Sequence, residues 1–271
     1  MNLQEKWKWK ETPFRRDTLH LYDSNKHQEA LARLKIIVEE RYLGLFTGEI
    51  GSGKTTLIRY LVHQLDAHAY SPVYISIAGL KPKDFYGELL RHIGEEVPFS
   101  LVKAKHLWQE RLESRISQGE KQLVVIVDEA QDLSEAMLLE LRFVMNHQMD
   151  ARSLFPLILV GQPEIRQKLR LKKYEAIGQR IGLMYHLTGL SQEETVAYIR
   201  HQMKQAEATV PVFSESAMYL IHKASQGIPR MINHLCIQAL YDGAQRENEV
   251  IEESHVSRVL ADRDRQIGAI G

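Results

Sequence analysis

A glycine-rich segment of the chain has the residue types and spacing of a phosphate-binding loop. Residues 48–55 read Gly-Glu-Ile-Gly-Ser-Gly-Lys-Thr, which fits the pattern GxxxxGK[ST]. Glycines let such a loop curl until successive backbone N–H groups point at phosphate oxygens. The sequence therefore predicts a binding site for a nucleoside triphosphate with Mg²⁺. The residues predicted to contact the nucleotide are Gly48, Glu49, Ile50, Gly51, Ser52, Gly53, Lys54, Thr55 and Thr56.

Two side chains of this loop have distinct expected roles. Lys54 should reach the β- and γ-phosphates, and the Thr55 hydroxyl should bind Mg²⁺. The helix that follows the loop would add its positive N-terminal dipole to the site. A chance glycine loop is the alternative interpretation, and it is disfavoured because a predicted strand precedes the loop and a predicted helix follows it.

Polar residues follow two other predicted strands. Asp128 and Glu129 come directly after residues 123–127, and Gln162 comes shortly after residues 157–160. We expect Asp128 to hold the magnesium shell and Glu129 to orient or activate water, which points to hydrolysis. Gln162 could contact the γ-phosphate or the attacking water. The alternatives are an exposed acid at a helix start for Glu129 and a Gly-Gln-Pro turn for Gln162.

The elements around these residues alternate between strands and helices. This alternation predicts a doubly wound parallel sheet flanked by helices, and together with the glycine loop it indicates an α/β fold of the P-loop NTPase type. The first four predicted strands are residues 42–48, 73–77, 123–127 and 157–160, with a candidate fifth at 183–187. The predicted helices are roughly residues 55–66, 82–94, 101–118, 133–147 and 163–173.

The pattern becomes purely helical after residue 190. Ser191 opens a capping box with Glu194, Ser214 can cap a second helix, and residues 227–230 break the chain before a third. Residues 253–264 are a candidate fourth helix. The predicted organisation is an N-terminal segment over 1–40, an α/β ATPase domain over 41–189 and a small helical lid over 190–271.

The composition excludes several classes of protein. Lys plus Arg and Asp plus Glu are both 35, so the net charge of zero excludes nucleic-acid attraction by the whole molecule. Two local stretches, 1–16 and 164–180, are basic, although solvated surface is the alternative for each. The single cysteine, Cys236, excludes an internal disulfide and indicates a buried reduced thiol. With no signal peptide and no apolar run of membrane-spanning length, we expect a cytoplasmic protein of bacterial type.

Taken together, these motifs resemble those of AAA+ ATPases. The Gly-Ile-Pro-Arg element at 227–230 is similar to the sensor 2 element of that family, which implies that Arg230 contacts the γ-phosphate. Arg180 stands where the family places an arginine finger, which implies an oligomer in which it acts on the neighbouring subunit's nucleotide. Ordinary salt bridges are the alternative for both arginines.

The likeness extends to the ExeA/GspA-like branch of these ATPases, over roughly residues 9–235. In AAA+ proteins the segment before the loop commonly lines the adenine pocket, so the resemblance makes Tyr22 and His27 candidate adenine-side residues; core or helix-cap positions are the alternative. The matching residues are Trp9, Pro13, Phe14, Leu21, Tyr22, Ser24, His27, Glu29, Ala30, Leu31, Gly48, Glu49 and those at 128–131, 161–164 and 179–181.

Secretion-linked members of that branch carry a transmembrane helix and a periplasmic region after the ATPase, whereas short members resemble transposition helpers of the TnsC, TniB and IstB kind. From the chain's length we expect a helper that assembles with ATP as a ring or filament on double-stranded DNA and recruits or stimulates a transposase. Candidate DNA contacts are Lys81, Lys83, Lys103 and Lys105, although solvated surface is the alternative for each. Binding would be largely independent of DNA sequence.

Two other functions compete with this expectation. One is a secretion or envelope-assembly ATPase that works with a membrane partner. The other is a nucleotide-binding switch with very little hydrolysis, and the presence of Glu129 argues against it. A GTPase is disfavoured because no NKxD-type guanine motif follows the loop.

Overall fold

The structure is a computed structural model that describes residues 3–7, 9–14, 22, 24–145, 153–208 and 210–268. Leu21 lies outside the described residues, as do Lys8, Arg15 and Arg16 of the basic stretch 1–16 and the end of the helix predicted over 133–147. Contacts divide the chain into two compact units. The helical unit comprises Met1–His27, Gly51–Gly53 and Thr188–Gly271, and the sheet unit comprises Gln28–Ile50 and Lys54–Leu187.

The sheet unit contains a five-stranded, wholly parallel sheet of order β2-β3-β4-β1-β5. Its strands are β1 Leu43–Gly48, β2 Tyr70–Ile75, β3 Gln122–Val127, β4 Leu157–Gly161 and β5 Ile181–Leu187. Its helices are most of α2 Asn25–Glu39, then α3 Lys54–Gln64, α4 Pro82–His92, α5 Leu101–Ser117, α6 Glu135–Val144, α7 Glu164–Leu169 and α8 Glu175–Gly178. The predicted α/β P-loop fold is confirmed.

Burial explains why three strands could be read directly from the sequence. Every residue of β1 and β4, and all but the first of β3, is buried, as expected for central parallel strands covered on both faces. Edge strand β2 differs, because it begins at Tyr70 and ends at Ile75 rather than spanning 73–77. It contains Pro72, which an edge strand tolerates because one row of its N–H groups is unpaired.

Two predicted helices differ in their bounds. The helix expected over 163–173 is only α7, since the N–H groups of Arg170 and Leu171 turn back to carbonyls three residues earlier and tighten the chain. A 3₁₀ turn at Lys172–Tyr174 and the short α8 follow. Helix α6 begins after Ser134, whose hydroxyl accepts the N–H of Met137 as an N-cap.

The helical unit contains α1 Leu3–Trp7, α9 Gln192–Gln205, α10 Glu215–Ser225, α11 Pro229–Gln245 and α12 Glu253–Gly268. Ser191 caps α9 in the predicted capping box with Glu194, and Ser214 caps α10. Cys236 is wholly buried in the core of this unit, as predicted, and burial raises the pKa of its thiol. Residues 28–40 group with the sheet unit, whereas the described residues before them pack with the helical unit; the predicted three-part division stays a prediction.

Among the described residues, no helix combines the length and the apolar character needed to cross a membrane.

Candidate functional site

The strand order brings three predicted site segments to one edge of the sheet. The glycine loop follows β1, Asp128 follows β3, and Gln162 follows β4, which pairs with both β1 and β3. Because all five strands are parallel, their carboxyl ends lie at the same edge. This edge of the sheet therefore places the residues predicted for phosphate, magnesium and water next to one another in strand order.

The glycine loop has the backbone and the polar groups of a phosphate cradle. Gly51 and Gly53 adopt φ angles of 81° and 101°, which residues with a Cβ rarely adopt. Lys54 Nζ donates to the carbonyls of Gly48 at 2.7 Å and Glu49 at 3.0 Å, so its charge is held at the loop. Ser52 is buried, and no hydrogen-bond partner for its hydroxyl exists among the described residues. These features fit an anionic, hydrogen-bonding ligand in the loop.

Within the helical unit, two of the predicted residues lie against the loop. The Arg230 N–H, in the first turn of α11, donates to the Gly51 carbonyl at 3.2 Å. A Cβ built on Gly51 would lie 2.6 Å from Arg230 Cβ, so only glycine allows this approach. His27 is buried, with Nδ1 2.9 Å from Ser24 Oγ and Nε2 3.7 Å from a Cβ built on Gly53.

Tyr22 has different surroundings. Its ring packs edge-on against Tyr198 with centroids 5.4 Å apart, and it lies 5.5 Å from the ring of His201. Both contacts are with α9, so within the helical unit Tyr22 takes part in an aromatic cluster. Its adenine-side role stays a prediction.

Both carboxylate oxygens of Asp128 accept hydrogen bonds inside the sheet unit. Oδ1 accepts the N–H of Glu129 at 2.8 Å, and Oδ2 accepts the hydroxyl of Tyr74. Burial raises the pKa of the Tyr74 phenol, and the hydrogen bond and charge of Asp128 raise it further, so the phenol stays a donor. Sequence reasoning missed Tyr74, because its contact with Asp128 depends on the pairing of β2 with β3.

Glu129 is exposed and has an unusual backbone conformation for a residue with a side chain. Its φ and ψ angles are 51° and 43°, in the left-handed region. Its carboxylate accepts a hydrogen bond from Gln131 Nε2 at 2.7 Å, and Gln131 Oε1 in turn accepts the N–H of Gln162 at 3.0 Å. The structure therefore connects two predicted site residues through Gln131, for which the sequence had indicated no role.

The donor set at this edge suits magnesium held jointly with phosphate. Thr55 is exposed in the first turn of α3, and Asp128 follows β3 at the same edge. The described residues contain no group of three or more His, Cys, Asp or Glu side chains that could hold a metal ion. Magnesium often takes only one or two protein ligands and completes its shell with substrate phosphates and water. One hydroxyl and one carboxylate therefore fit Mg²⁺ bound with a nucleotide.

A histidine that the sequence did not single out also lies at the ends of these strands. His186 Nδ1 is 3.1 Å from the hydroxyl of buried Thr47, on the neighbouring strand β1. Burial lowers the pKa of His186, and the charges of Arg166 and Lys54 lower it further, against a smaller opposing effect of Glu49. These surroundings favour the neutral form of the His186 imidazole.

Arg180 lies at the amino ends of the strands, opposite their carboxyl ends, and immediately precedes β5. It donates to the carbonyl of Arg142 at 3.1 Å. Strand β5 has 7 residues, which span roughly 20 Å at about 3.3 Å per residue. Arg180 is therefore separated by about that length from the edge of its own sheet that carries Asp128.

The four candidate lysines for DNA differ in their surroundings. Lys81, Lys83 and Lys103 are exposed, and Lys83 Nζ lies 4.4 Å from the centre of the Phe99 ring, which is itself 93% exposed. Lys105 instead forms an ion pair of 2.7 Å with Glu140, which is buried. Because its charge is already paired with Glu140 inside the sheet unit, Lys105 is a poorer candidate for a DNA contact than the three exposed lysines.

Comparison with known proteins gives one family match and one curated relative. A family model described as an AAA domain matches residues 37–169. The chain is also 34% identical over 247 residues to general secretion pathway protein A of Aeromonas hydrophila. That alignment covers 88% of this chain and 44% of the relative, so this chain spans less than half of the relative's length.

Solved structures share the architecture. Cdc6p of Pyrobaculum aerophilum is similar with a TM-score of 0.65 and 17% identity, over 88% of this chain and 67% of that chain. ORC1 of Aeropyrum pernix, solved in complex with DNA, has a TM-score of 0.59 and 17% identity, over 93% and 69% of the two chains. At this level of identity the similarity establishes the fold alone.

Proposed function

We propose that this chain, which has the P-loop AAA+ fold, is an ATPase that couples hydrolysis of MgATP to assembly in a secretion or envelope-assembly pathway. The chemical part of this proposal rests on the sheet edge that carries Lys54, Asp128 and Glu129. The cellular part rests on the relative that is named for general secretion.

We assign the chemistry to this chain's own residues as follows. The backbone of residues 51–53 and the Lys54 ammonium bind the phosphates. Thr55 and Asp128 would hold Mg²⁺, which as a Lewis acid would stabilise the negative charge that develops on the transferring phosphoryl group. Glu129 orients the attacking water and accepts its proton.

One observation supports this assignment most directly. Glu129, the predicted base, and Gln162, the predicted γ-phosphate contact, are linked through a single side chain, although 33 positions separate them in the sequence. The alternative interpretation of Glu129, an exposed acid at a helix start, does not account for this link to the end of β4.

The test measures hydrolysis and nucleotide binding separately. Glu129→Gln should lower kcat by about 10²–10⁴-fold while binding of a fluorescent ATP analogue changes less than about twofold. Lys54→Ala should abolish binding itself. Glu135→Gln is the matched control, since Glu135 is an exposed glutamate of the same unit that pairs with Lys173. If Glu129→Gln hydrolyses ATP at the wild-type rate, Glu129 is not the base.

We also propose that Arg180 acts in trans, because it lies at the edge of its own sheet opposite Asp128. Mixing two inactive variants, Lys54→Ala and Arg180→Ala, tests this assignment. In a mixed oligomer an intact Lys54 of one subunit can meet an intact Arg180 of the next, so activity should return. Arginine fingers contribute about 10³–10⁵-fold to the rate in other NTPases, which leaves ample signal. No recovery, with mixed oligomers shown by native mass spectrometry, would exclude the assignment in trans.

Within the helical unit, we assign Arg230 and His27 to nucleotide binding, because both lie near the glycines of the loop. Arg230 lies against Gly51 and would add a positive charge to the phosphates bound there. Arg230→Ala should raise the KM for ATP several-fold, and Arg246→Ala is a suitable control, because Arg246 is an exposed arginine just after the end of the same helix.

A transposition helper on double-stranded DNA is the second candidate function. The specific observation in its favour is that Lys81, Lys83 and Lys103 are each exposed, with Phe99 in contact with Lys83. Replacing all three lysines with alanine should weaken duplex binding and reduce the salt slope by about one for each DNA phosphate that the lysines neutralise. Lys121→Ala, an exposed lysine in the turn before β3, is the control.

Electron microscopy with a slowly hydrolysed ATP analogue separates the two candidates. Nucleotide-dependent rings that form equally with and without duplex DNA support the secretion or envelope role with a membrane partner. Rings or filaments that require DNA support the helper role, in which the chain would recruit or stimulate a transposase. The three-lysine variant should assemble normally in the first case and fail in the second.

A further inference from the structure

Gln131 uses both ends of its side-chain amide, and it does so between two residues of the proposed site. Its Nε2 donates to Glu129 Oε2 at 2.7 Å, and its Oε1 accepts the N–H of Gln162 at 3.0 Å. The side chain is about nine-tenths buried, so water competes little for these bonds. A glutamine that satisfies a carboxylate with one end and a main-chain N–H with the other fixes the separation between them.

The main chain of Gln131 is itself anchored. Its carbonyl accepts a hydrogen bond from Lys168 on α7, and it lies in the 3₁₀ turn Ala130–Asp132 that directly follows Glu129. The Asp132 N–H closes that turn on the Glu129 carbonyl at 2.9 Å. The amide therefore extends from a rigid base, and its position is not set by the exposed Glu129 side chain.

The end of β4 is shaped to receive this amide. A Cβ built on Gly161 would lie 2.9 Å from Gln131 Oε1 and 3.3 Å from the Ala130 main-chain nitrogen. The glycine before Gln162 thus leaves room for the Gln131 side chain, which gives a physical reason for the Gly-Gln pair after β4.

We propose that Gln131 is a positioning residue that sets the Glu129 carboxylate relative to the main chain of Gln162. It contacts neither phosphate nor water in this role; it acts through Glu129. The inference rests on the proposed function, in which Glu129 is the base. A displacement of the loop after β4 would then move the base through the same amide.

Two variants separate the two ends of the amide. Gln131→Glu keeps the size of the side chain and an acceptor for the Gln162 N–H, but it replaces the donor to Glu129 with a like charge. Gln131→Ala removes both bonds. Gln109→Ala is the matched control, since exposed Gln109 donates to Glu113 at 3.3 Å on α5 of the same unit.

The first measurement is amide hydrogen exchange in the nucleotide-free protein, which does not depend on activity. In Gln131→Ala the Gln162 amide should exchange roughly tenfold faster, because its acceptor is gone. In Gln131→Glu it should stay protected, as it should in Gln109→Ala. Unchanged exchange in Gln131→Ala would overturn the inference. The thermal transition of each variant shows that it is folded.

The second measurement is single-turnover ATP hydrolysis. Both Gln131 variants should lower the rate constant by about tenfold, less than the loss of the base itself, with the concentration dependence on ATP changed less than about twofold. In a Glu129→Gln background, Gln131→Ala should cost nothing further, because there is no base left to position. A full additional loss in that background would overturn the inference and assign Gln131 a structural role.

The failure of the proposed function is distinguishable from the failure of this inference. If Glu129→Gln alone hydrolyses ATP normally, then Glu129 is not the base and both fall. If Glu129→Gln is inactive while both Gln131 variants keep the wild-type rate, then only the positioning role is refuted.

Discussion

Gly161→Ala perturbs the Gln131 amide without changing any residue to which we assign chemistry. The backbone of Gly161 is not in the left-handed region, so alanine meets no conformational penalty there. The new Cβ would lie 2.9 Å from Gln131 Oε1, whereas ordinary contact begins near 3.4 Å, so the oxygen must retreat by about 0.5 Å. That displacement lengthens the 3.0 Å bond from the Gln162 N–H toward the limit of a hydrogen bond.

The expected magnitude follows from this geometry. Weakening one or two hydrogen bonds lowers the free energy of unfolding by about 1 kcal/mol each. Replacing glycine by alanine raises it by about 0.4–1 kcal/mol, because the unfolded chain loses conformational entropy. The net loss of stability is therefore about 1 kcal/mol, or a few degrees in Tm. The loss of single-turnover rate should be larger in proportion, roughly tenfold, because the base is displaced.

The assay compares Tm and hydrolysis for Gly161→Ala and for Gly178→Ala, whose built Cβ lies 4.0 Å from the Leu169 carbonyl oxygen and meets no closer atom. Gly178→Ala should leave Tm unchanged or raise it. Adding Gly161→Ala to Gln131→Ala should cost no further activity, because the atom that it displaces has been removed. The reasoning is refuted if Gly161→Ala keeps the wild-type rate, or if its effect persists in full without the Gln131 side chain.

Two further predictions concern ion pairs. Lys105→Ala should destabilise the sheet unit by about 1–3 kcal/mol, because it leaves the buried Glu140 carboxylate without its cation. The control, Lys103→Ala, removes an exposed lysine and should change stability little. Equal urea midpoints for the two variants would contradict this prediction. In the helical unit, burial alone would raise the pKa of Asp242, but the hydrogen bonds and charges of Arg258 and, to a smaller extent, Arg246 outweigh it and hold that pKa below its ordinary value. This stabilisation is present above the pKa of Asp242 in the unfolded chain, near 3.8, and is lost as the pH falls below it. The Tm of Arg258→Ala should therefore lie slightly below that of the wild type at pH 7, and the difference should shrink below pH 4. A difference that stays constant with pH would contradict this prediction.

The sequence was most informative where the signal is local. The glycine loop and the largely apolar strands β1, β3 and β4 depend on residues adjacent in the chain, and the predicted strand positions agree with the structure to within one residue. Helix α2 was missed although its buried residues Ala30, Leu34, Ile37 and Val38 have helical spacing. The family motif in this segment does not specify its secondary structure, whereas the spacing of these apolar residues does.

The contacts that the sequence could not supply join segments far apart in the chain. The Tyr74 contact with Asp128 requires that β2 pair with β3, and the approach of Arg230 to Gly51 joins residues 179 positions apart. Residue types alone do not give such adjacency. Gln131 stood within a recognised motif, but its role emerges only from its position between two strand ends.

Glu129 differs from most other residues with left-handed backbone in the described chain. Arg41, Glu207, Gln226 and Glu247 all occupy such positions just after helices, where a left-handed residue commonly ends a helix. Glu129 instead follows a strand, and an L-residue in this conformation costs about 1–2 kcal/mol.

The surroundings of Glu129 hold this conformation in place. Its N–H is bound by Asp128 Oδ1, its carbonyl by the Asp132 N–H, and its carboxylate by Gln131. Strain that neighbouring groups over-determine is a feature of functional sites. The same bonds connect the Glu129 carboxylate, through Gln131, to the main chain at the end of β4, and a carboxylate held in this way suits the role of base that we propose for it.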